Sequence, residues 1–360
     1  MMQVLSRAGR ALRRGGPLLA LLAAPLSGCN DGDSLISSES PAPTDSTSPP
    51  DSTPIPPDTT TPPDTTTPPP PPTDTTPPAP SLCGPAGSAT PGENVGLAFG
   101  PNHIPKQEYG APFNGSQIAA RVIEGENCLL SDLEAARRAN LRVIISFTGN
   151  EQHLRDADGF SLTRWKQRVD RFRQLDISSY IEDGTIIGHL IMDEPADPTN
   201  WSGKVVTYAQ VEEIARYSKE VWPGIPVVLR AWPDYLEHLD LTDVDAVWIH
   251  YLYRRGPIDD FIATQVGRIR ALGLIVVGGL NVLNGGSPES SIPGKREGLK
   301  GMSPNELRTW GARWMEQPGM CAFLLWQYDS SYLARPEIQA AITDVAAMAR
   351  AYPKRSCMKG

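Results

Sequence analysis

The 360-residue chain has few aromatic residues (7%), only five cysteines, and no cluster of Lys or Arg in the part that could fold. Without a basic stripe nothing can neutralise a row of phosphates, which excludes nucleic acid as a partner. No two cysteines stand in Cys-x-x-Cys or Cys/His spacing, so neither a metal nor a cofactor is expected. A phosphate-binding loop, a dinucleotide fingerprint and a nucleophile-elbow serine are also missing. The apolar run over 18–26 is too short to span a bilayer as a permanent helix. Net charge is -8, from 33 basic and 41 acidic residues. Setting aside the eight acids and four arginines of residues 1–82 leaves 33 acids and 29 bases, a mild -4 over 83–360.

Proline is the residue in excess. Of 36 prolines, 17 fall between positions 41 and 80, with 15 Ser/Thr and five Asp. Such a segment buries nothing apolar to offset the entropy of ordering it, so a disordered, polyproline-like tether is expected. The hexad Pro-Pro-Asp-Thr-Thr-Thr repeats at 56–61 and 62–67. About 40 residues at ~3.1 Å each give a spacer on the order of 100 Å.

Ahead of the tether, Arg7, Arg10, Arg13 and Arg14 precede the apolar run, which ends in Leu26-Ser27-Gly28-Cys29. A basic start, a short apolar stretch and small residues before a cysteine make an export signal. This Leu-Ser-Gly-Cys resembles the bacterial lipoprotein signal. The resemblance implies cleavage before Cys29, a lipid on its thiol, and a domain held at a membrane of the cell envelope, on its periplasmic or extracellular side. Asn30 and Asp31 leave inner or outer membrane open. The expected organisation is a signal over 1–28, a tether over 29–82 and a monomeric folded domain over 83–360.

Within 83–360, short β-branched runs alternate with amphipathic ones. Strands are expected at 95–99, 119–123, 142–147, 185–192, 226–231, 246–252, 274–280 and 321–327. Helices are expected at 130–140, 162–175, 208–222, 259–272, 304–316 and 336–351, with weak or absent helices after strands one and five. Thr207, Ser303-Pro304 with Glu306, and Gly273 supply start and stop signals. Leu274-Ile275-Val276-Val277 and Ala322-Phe323-Leu324-Leu325 are apolar on both faces, as buried parallel strands are. Eight such repeats point to an α/β fold, a (β/α)8 TIM barrel, with an open doubly wound sheet as the alternative. Four cysteines beyond Cys29 allow two disulfides in an oxidising compartment. In a barrel, Cys321 and Cys357 fall at the same end, leaving Cys83 to meet Cys128.

Barrel chemistry gathers at the C-terminal strand ends. These offer Asn102 and His103, then Thr148 and Asn150, then Asp193-Glu194-Pro195, then Arg230, Trp232 and Asp234. Strand six adds His250, Tyr251 and Tyr253, strand seven Asn281, and strand eight Trp326-Gln327-Tyr328-Asp329. Rings and hydrogen-bonding groups in this mixture suit a carbohydrate. Trp201, Trp232 and Trp326 are candidate stacking platforms, while His189, among aliphatics in mid-strand, reads as core. Asp193 and Glu194 end an otherwise apolar strand. A carboxyl beside a second one, partly desolvated, has the raised pKa that a general acid needs. The alternative use of both is to cap the next loop or pair with Arg230.

The layout resembles the large clan of (β/α)8 glycoside hydrolases in which strand four ends Asn-Glu-Pro. The shared motif is Glu194-Pro195, with His250/Tyr251 and Trp326. The resemblance implies that Glu194 is the acid/base of carbohydrate hydrolysis. Two departures stand out: Asp193 replaces the Asn, and strand seven ends in Asn281 without an acid. Since glycoside hydrolysis normally needs two carboxyl groups, the second is sought at Asp329, favoured for its aromatic neighbours, or at Asp193, Asp234, Glu289 or Glu297. A barrel that binds or scaffolds glycans without cleaving them, and a barrel enzyme of other hydrolytic chemistry built on Arg230, His250 and Asp193, are the competing readings.

Overall fold

The computed structural model describes residues 81–84, 92 and 95–360. The export signal, Cys29 and almost all of the tether lie outside the described residues. Eight strands form one parallel sheet: β1 (Ala98–Pro101), β2 (Gly115–Ala119), β3 (Arg142–Ser146), β4 (Ile186–Asp193), β5 (Val227–Arg230), β6 (Ala246–Trp248), β7 (Ile275–Asn281) and β8 (Met320–Trp326). Seven parallel ladders run from β2 in chain order to β8 and on to β1. This is the (β/α)8 barrel that the alternation implied, and not an open sheet.

The last seam, between β1 and β2, closes by individual bonds. Asn114 donates its backbone N–H to Phe99 O (3.0 Å) and accepts the Phe99 N–H on its side-chain oxygen (2.8 Å). His103 N–H donates to Gln117 O (2.8 Å), and Ser116 Oγ to Pro101 O (2.6 Å). Glycine makes this approach possible. A Cβ on Gly100 would lie 2.2 Å from Gly115 O, and one on Gly115 would lie 2.5 Å from Phe99 N.

Among the described residues, six helices of nine residues or more cover the barrel: α1 (Leu129–Arg138), α2 (Leu162–Asp170), α3 (Tyr208–Val221), α4 (258–271), α5 (Pro304–Met315) and α6 (Pro336–Ala351). Thr207 with Gln210 and Ser303 with Glu306 form reciprocal capping boxes at α3 and α5, which satisfy backbone N–H groups that the first turn cannot pair. The middle of α4, Ile262–Val266, is π-helical. After β1 there is only the turn Lys106–Glu108, and after β5 only Pro233–Leu236. Ala98, Ile144, Leu190, Val228, Ala246, Trp248, Val277, Ala322 and Leu324 fill the barrel. The opposite strand faces pack on the helices, so both faces are dry, as a parallel sheet requires.

Three strands differ by more than two residues from the sequence-based expectation, β6 by ending at Trp248 instead of at 252. β1 lies three residues later at its start, and β2 lies at 115–119 instead of 119–123. The apolar Val122–Ile123 pairs with Glu126–Asn127 in a small exposed hairpin. The true β2 buries the polar Ser116 and Gln117, which the barrel seam accommodates by bonding Ser116 to Pro101 O. Hydropathy therefore pointed past it.

Cys83 is bonded to Cys128, and Cys321 to Cys357. The first bridge holds the chain preceding the barrel to the residue ahead of α1. Lys106 Nζ donates to Cys83 O and Ser131 Oγ, and both Lys106 and Arg121 pair with the buried Asp132. Glu126 accepts from Ser81 Oγ (2.6 Å) and the Leu82 N–H (2.8 Å). Residues 81–83 are thus pinned beside the loop that follows β2, on the side of the strand C-terminal ends.

Candidate active site

Register sets the site. Asp193 pairs level with Arg230 across β4 and β5, and Asn281 with Trp326 across β7 and β8. Arg230 is 3% exposed. Its guanidinium donates to Asp193 Oδ2 (2.6 Å) and Glu194 Oε1 (3.3 Å), and lies 3.4 Å from His250 Nε2. Its carbon stands 4.6 Å from the Trp326 ring centre and 5.3 Å from that of Trp248. A guanidinium only donates, so His250 Nε2 accepts and the ring proton sits on Nδ1. Burial and Arg230 hold His250 well below the ordinary histidine pKa, which keeps it neutral.

Glu194 adopts φ +41°, a conformation that costs a non-glycine residue about 1–3 kcal/mol. Its backbone is over-determined. Its N–H donates to Arg230 O (2.9 Å), and its carbonyl accepts from the Asp197 N–H (3.0 Å) and Trp201 Nε1 (3.1 Å). These bonds hold the carboxylate at the mouth, against Arg230. Trp201, expected as a platform, is fully buried and acts as a strut for Glu194 instead.

A third carboxyl joins the pair. Glu151 begins the turn Glu151–His153 beyond β3. Burial pushes its pKa up; the charge of Arg230 opposes this and that of Glu194 adds to it. Asp193 is also raised, by burial against the pull of Arg230, with Glu194 and Glu151 adding to the rise. For both Glu151 and Asp193, loss of water around the carboxyl outweighs the attraction of the Arg230 guanidinium.

Several polar atoms beneath this cluster are buried with no partner among the described residues: both side-chain atoms of Asn102, Asn281 Nδ2, Asp193 Oδ1, His250 Nδ1 and Trp248 Nε1. Each such group costs about 1–3 kcal/mol unless water or ligand satisfies it. Asn281 Oδ1 is used, accepting from the Asn284 N–H (3.0 Å). The crevice bounded by Glu194, Arg230, Trp232 and His250 is too narrow for a water molecule, so a ligand would lie above Arg230 rather than beside it.

The other expected residues divide clearly. His103 reaches the rim, edge-on to Trp326 at 6.4 Å. Although its surface is open there, the surrounding protein and Arg230 bring its pKa down to about 4. Asn150 is exposed and precedes the Glu151 turn. Trp232 carries the Arg255 guanidinium 4.1 Å above its ring, and Trp326 lies under Arg230 and stacks on His250 at 6.0 Å. Gln327 and Tyr328 are half-buried, and Tyr328 N–H donates to Asn102 O (2.9 Å).

Tyr251 turns to the helix layer. Its hydroxyl donates to Gly256 O (2.8 Å) and its ring packs on Phe261 and Trp310, so it is placed in the core and not at the mouth. Asp329 stands three residues beyond the end of β8, and its carboxylate is engaged in a local cap. It caps Ser330–Leu333, accepting from Tyr332 N–H (2.9 Å) and Ser331 Oγ (2.6 Å). Burial raises its pKa, but these bonds and Lys295 outweigh it and hold the group below the usual range. Asp234 is exposed and paired with Arg268 (2.7 Å). A further carboxyl near enough to interact electrostatically with Glu194, Asp193 and Arg230 is Glu151, one residue beyond the expected Asn150. Its signal in the sequence was its being the first acid after β3. His189 is core, bonded to Ser218 Oγ (2.7 Å) among Phe147, Trp165 and Trp222, and burial lowers its pKa to about 3.

No family model matches the chain, and no curated protein matches its sequence. Among solved structures it is similar to a glycoside hydrolase family 5 mannosidase from Rhizomucor miehei, at 13% identity over 66% of this chain and 84% of that one, TM-score 0.40. It is similar to an intracellular xylanase from Thermoanaerobacterium saccharolyticum, at 12% identity over 69% and 95%, TM-score 0.47. A third is an endocellulase from Pyrococcus horikoshii, at 13% identity over 66% and 83%, TM-score 0.43. The chemistry of this chain rests on its own side chains.

Proposed function

We propose that this protein is a glycoside hydrolase of the cell envelope, with Glu194 and Glu151 as its two working carboxyl groups. The observation that carries the reading is Glu194 at the mouth, fixed by its backbone and held by Arg230, with the Glu151 carboxyl, raised by burial, within its electrostatic reach. Glu151 keeps the proton and delivers it to the leaving oxygen. Glu194 is the carboxylate that activates water or attacks the sugar. Asp193 holds Arg230 in place, and Asn102, His103, Asn281 and Tyr328 supply hydroxyl partners from the surrounding strand ends.

The sign of the pH dependence follows. A raised pKa keeps Glu151 protonated to higher pH, so hydrolysis persists above the range of an ordinary carboxyl and falls as pH rises through that raised value. In Glu151→Gln the falling alkaline limb disappears, along with most of the rate. Hydrolysis of an oligosaccharide panel by the purified protein, as a pH-rate profile of wild type and variant, is the test. An unchanged alkaline limb in Glu151→Gln removes Glu151 from the role.

A second reading has one observation in its favour: β7 ends in the buried amide Asn281 where a carboxylate would complete the usual pair. On it, the barrel binds glycans without cleaving them. Binding across the panel with no reducing ends released would establish it.

The location belongs to the same proposal. Cleavage before Cys29 and lipidation of its thiol would anchor the chain, and residues 29–82 would space a monomeric barrel from the membrane on its periplasmic or extracellular side. Support comes from the two disulfides, which form and persist in oxidising compartments. In Cys29→Ala, incorporation of labelled fatty acid is expected to vanish and the protein to leave the membrane fraction. Wild-type protein that stays in the membrane fraction without incorporating label would refute lipidation.

A further inference from the structure

The segments that carry Glu151 and Glu194 are fastened to one another just outside the mouth. After Glu151 the chain turns, with Leu154 N–H donating to Glu151 O (2.8 Å), and then forms a hairpin in which Arg155 pairs with Phe160 and Asp156 with Gly159. After Glu194 it forms the loop in which Asp197 N–H donates to Glu194 O (3.0 Å) and Asn200 N–H to Asp197 O (3.2 Å). The hairpin grips this loop. Arg155 Nη1 donates to Asn200 O (2.7 Å) and Thr199 O (3.2 Å), and Ser202 Oγ donates to Asp156 O (2.8 Å). The Phe160 ring meets that of Trp201 edge to face, with centres 5.4 Å apart. Trp201 is common to both sides: its ring takes Phe160, while its Nε1 donates to Glu194 O (3.1 Å). Gly159 turns the hairpin at φ +103°, a conformation that residues with a side chain rarely adopt. Arg155 is half-buried, and its charge also reaches Glu151, where with that of Arg230 it opposes burial and the charge of Glu194. Asp193, from β4, is the other carboxyl that interacts with Glu151.

We propose that Arg155 is a positioning residue for the reaction: by clasping the loop at Thr199 and Asn200 it fixes where Glu151 stands relative to Glu194 and keeps Glu151 turned into the mouth. The inference rests on these two carboxyls being the working pair. Two carboxyls serve one glycosidic bond only at a set separation, ~5 Å for retention or ~6.5–9.5 Å for inversion. Groups on two different loops keep such a separation only if the loops are joined. The guanidinium suits the task, since one rigid group carrying several donors holds two successive carbonyls at once.

The test is Arg155→Met, read by nuclear magnetic resonance titration of the Glu151 carboxyl carbon in protein carrying isotope-labelled glutamate, the resonance being assigned by its loss in Glu151→Gln. The substitution has two effects of opposite sign. Loss of the Arg155 charge alone pushes the Glu151 pKa further up. Release of the clasp lets water reach the carboxyl and takes it away from Glu194, and both bring the pKa down. Burial is the largest influence on Glu151, so a fall of about one unit toward the ordinary carboxyl range is expected. Hydrolysis is expected to lose about tenfold in kcat with KM little changed, and its alkaline limb to move to lower pH. Ser202→Ala removes the bond to Asp156 O at an exposed position, and a smaller fall in the same direction is expected from it. An upward shift in Arg155→Met would show that Arg155 acts as a charge and not as a clasp. An unmoved titration with a lowered unfolding midpoint would show a purely structural role, and either result overturns the proposal. The titration does not depend on turnover. A wild type that cleaves nothing on the oligosaccharide panel removes the hydrolase reading, and the direction of the Glu151 shift still decides whether Arg155 holds that carboxyl in place.

Discussion

Glu194→Gln is expected to lower the rate of glycoside hydrolysis by about 10²–10⁴-fold, the range that a positioned acid or base contributes, while KM changes little. The amide keeps the shape of the carboxyl and loses its charge and its ability to accept or deliver a proton. The bonds that hold residue 194 in place are backbone bonds, to Arg230 O, Asp197 N–H and Trp201 Nε1, so the substitution leaves the geometry of the loop standing. Asp329→Asn is the informative contrast. The Asp329 carboxylate is occupied by Tyr332 N–H and Ser331 Oγ, so the variant should keep its rate and lose at most about 1 kcal/mol of stability through the weakened cap. If Asp329→Asn abolishes hydrolysis and Glu194→Gln does not, the roles assigned to both are wrong.

The largest effect on stability is expected from Arg230→Met. Arg230 is the cation that Asp193 and Glu194 bond, and its side chain is 4% exposed. Methionine fills part of the volume but leaves the carboxyls buried without a counter-charge, a change that typically costs about 3–5 kcal/mol. In a barrel of this size that is a fall in unfolding midpoint of roughly 10 °C. The pH dependence has a definite sign. Asp193 and Glu151 already have raised pKa values in the folded protein, and removing Arg230 raises them further. The folded variant then binds protons that the unfolded chain has released, so its stability is greatest at low pH and falls as pH rises. Thermal unfolding of wild type and variant at pH 5 and pH 8 should show the larger gap at pH 8. A gap that is the same at both values would mean that lost packing, not charge, accounts for the cost.

Much of the barrel was legible because a buried parallel strand is apolar on both faces and has few other ways to fold. β7 and β8 are such runs, and α3 and α5 are announced by Thr207 and by Ser303 with Glu306. β2 was not legible, since its Ser116 and Gln117 are buried for the sake of a seam that only exists once β1 and β2 meet. At the site, Asp193 and Glu194 stood out as acids ending an apolar strand, and Arg230 as a cation needing a partner. Glu151 did not, because its closeness to them is a property of neighbouring strands. The capping role of Asp329 was legible in principle, as an acid followed by Ser330 and Ser331 at the start of a short helix, but its aromatic neighbours drew the reading toward chemistry.

What the sequence by itself determined is what depends on composition and local order. A proline-rich stretch of 41–80 offers little apolar surface to bury, and eight alternating repeats make a barrel. Disulfide pairing also followed once the barrel put Cys321 and Cys357 at one end. The tertiary structure alone decided which acids gather on Arg230 and how deeply they are buried. Both are matters of distance between strands and of burial, and neither spacing along the chain nor hydropathy measures how far water has been removed from a charge.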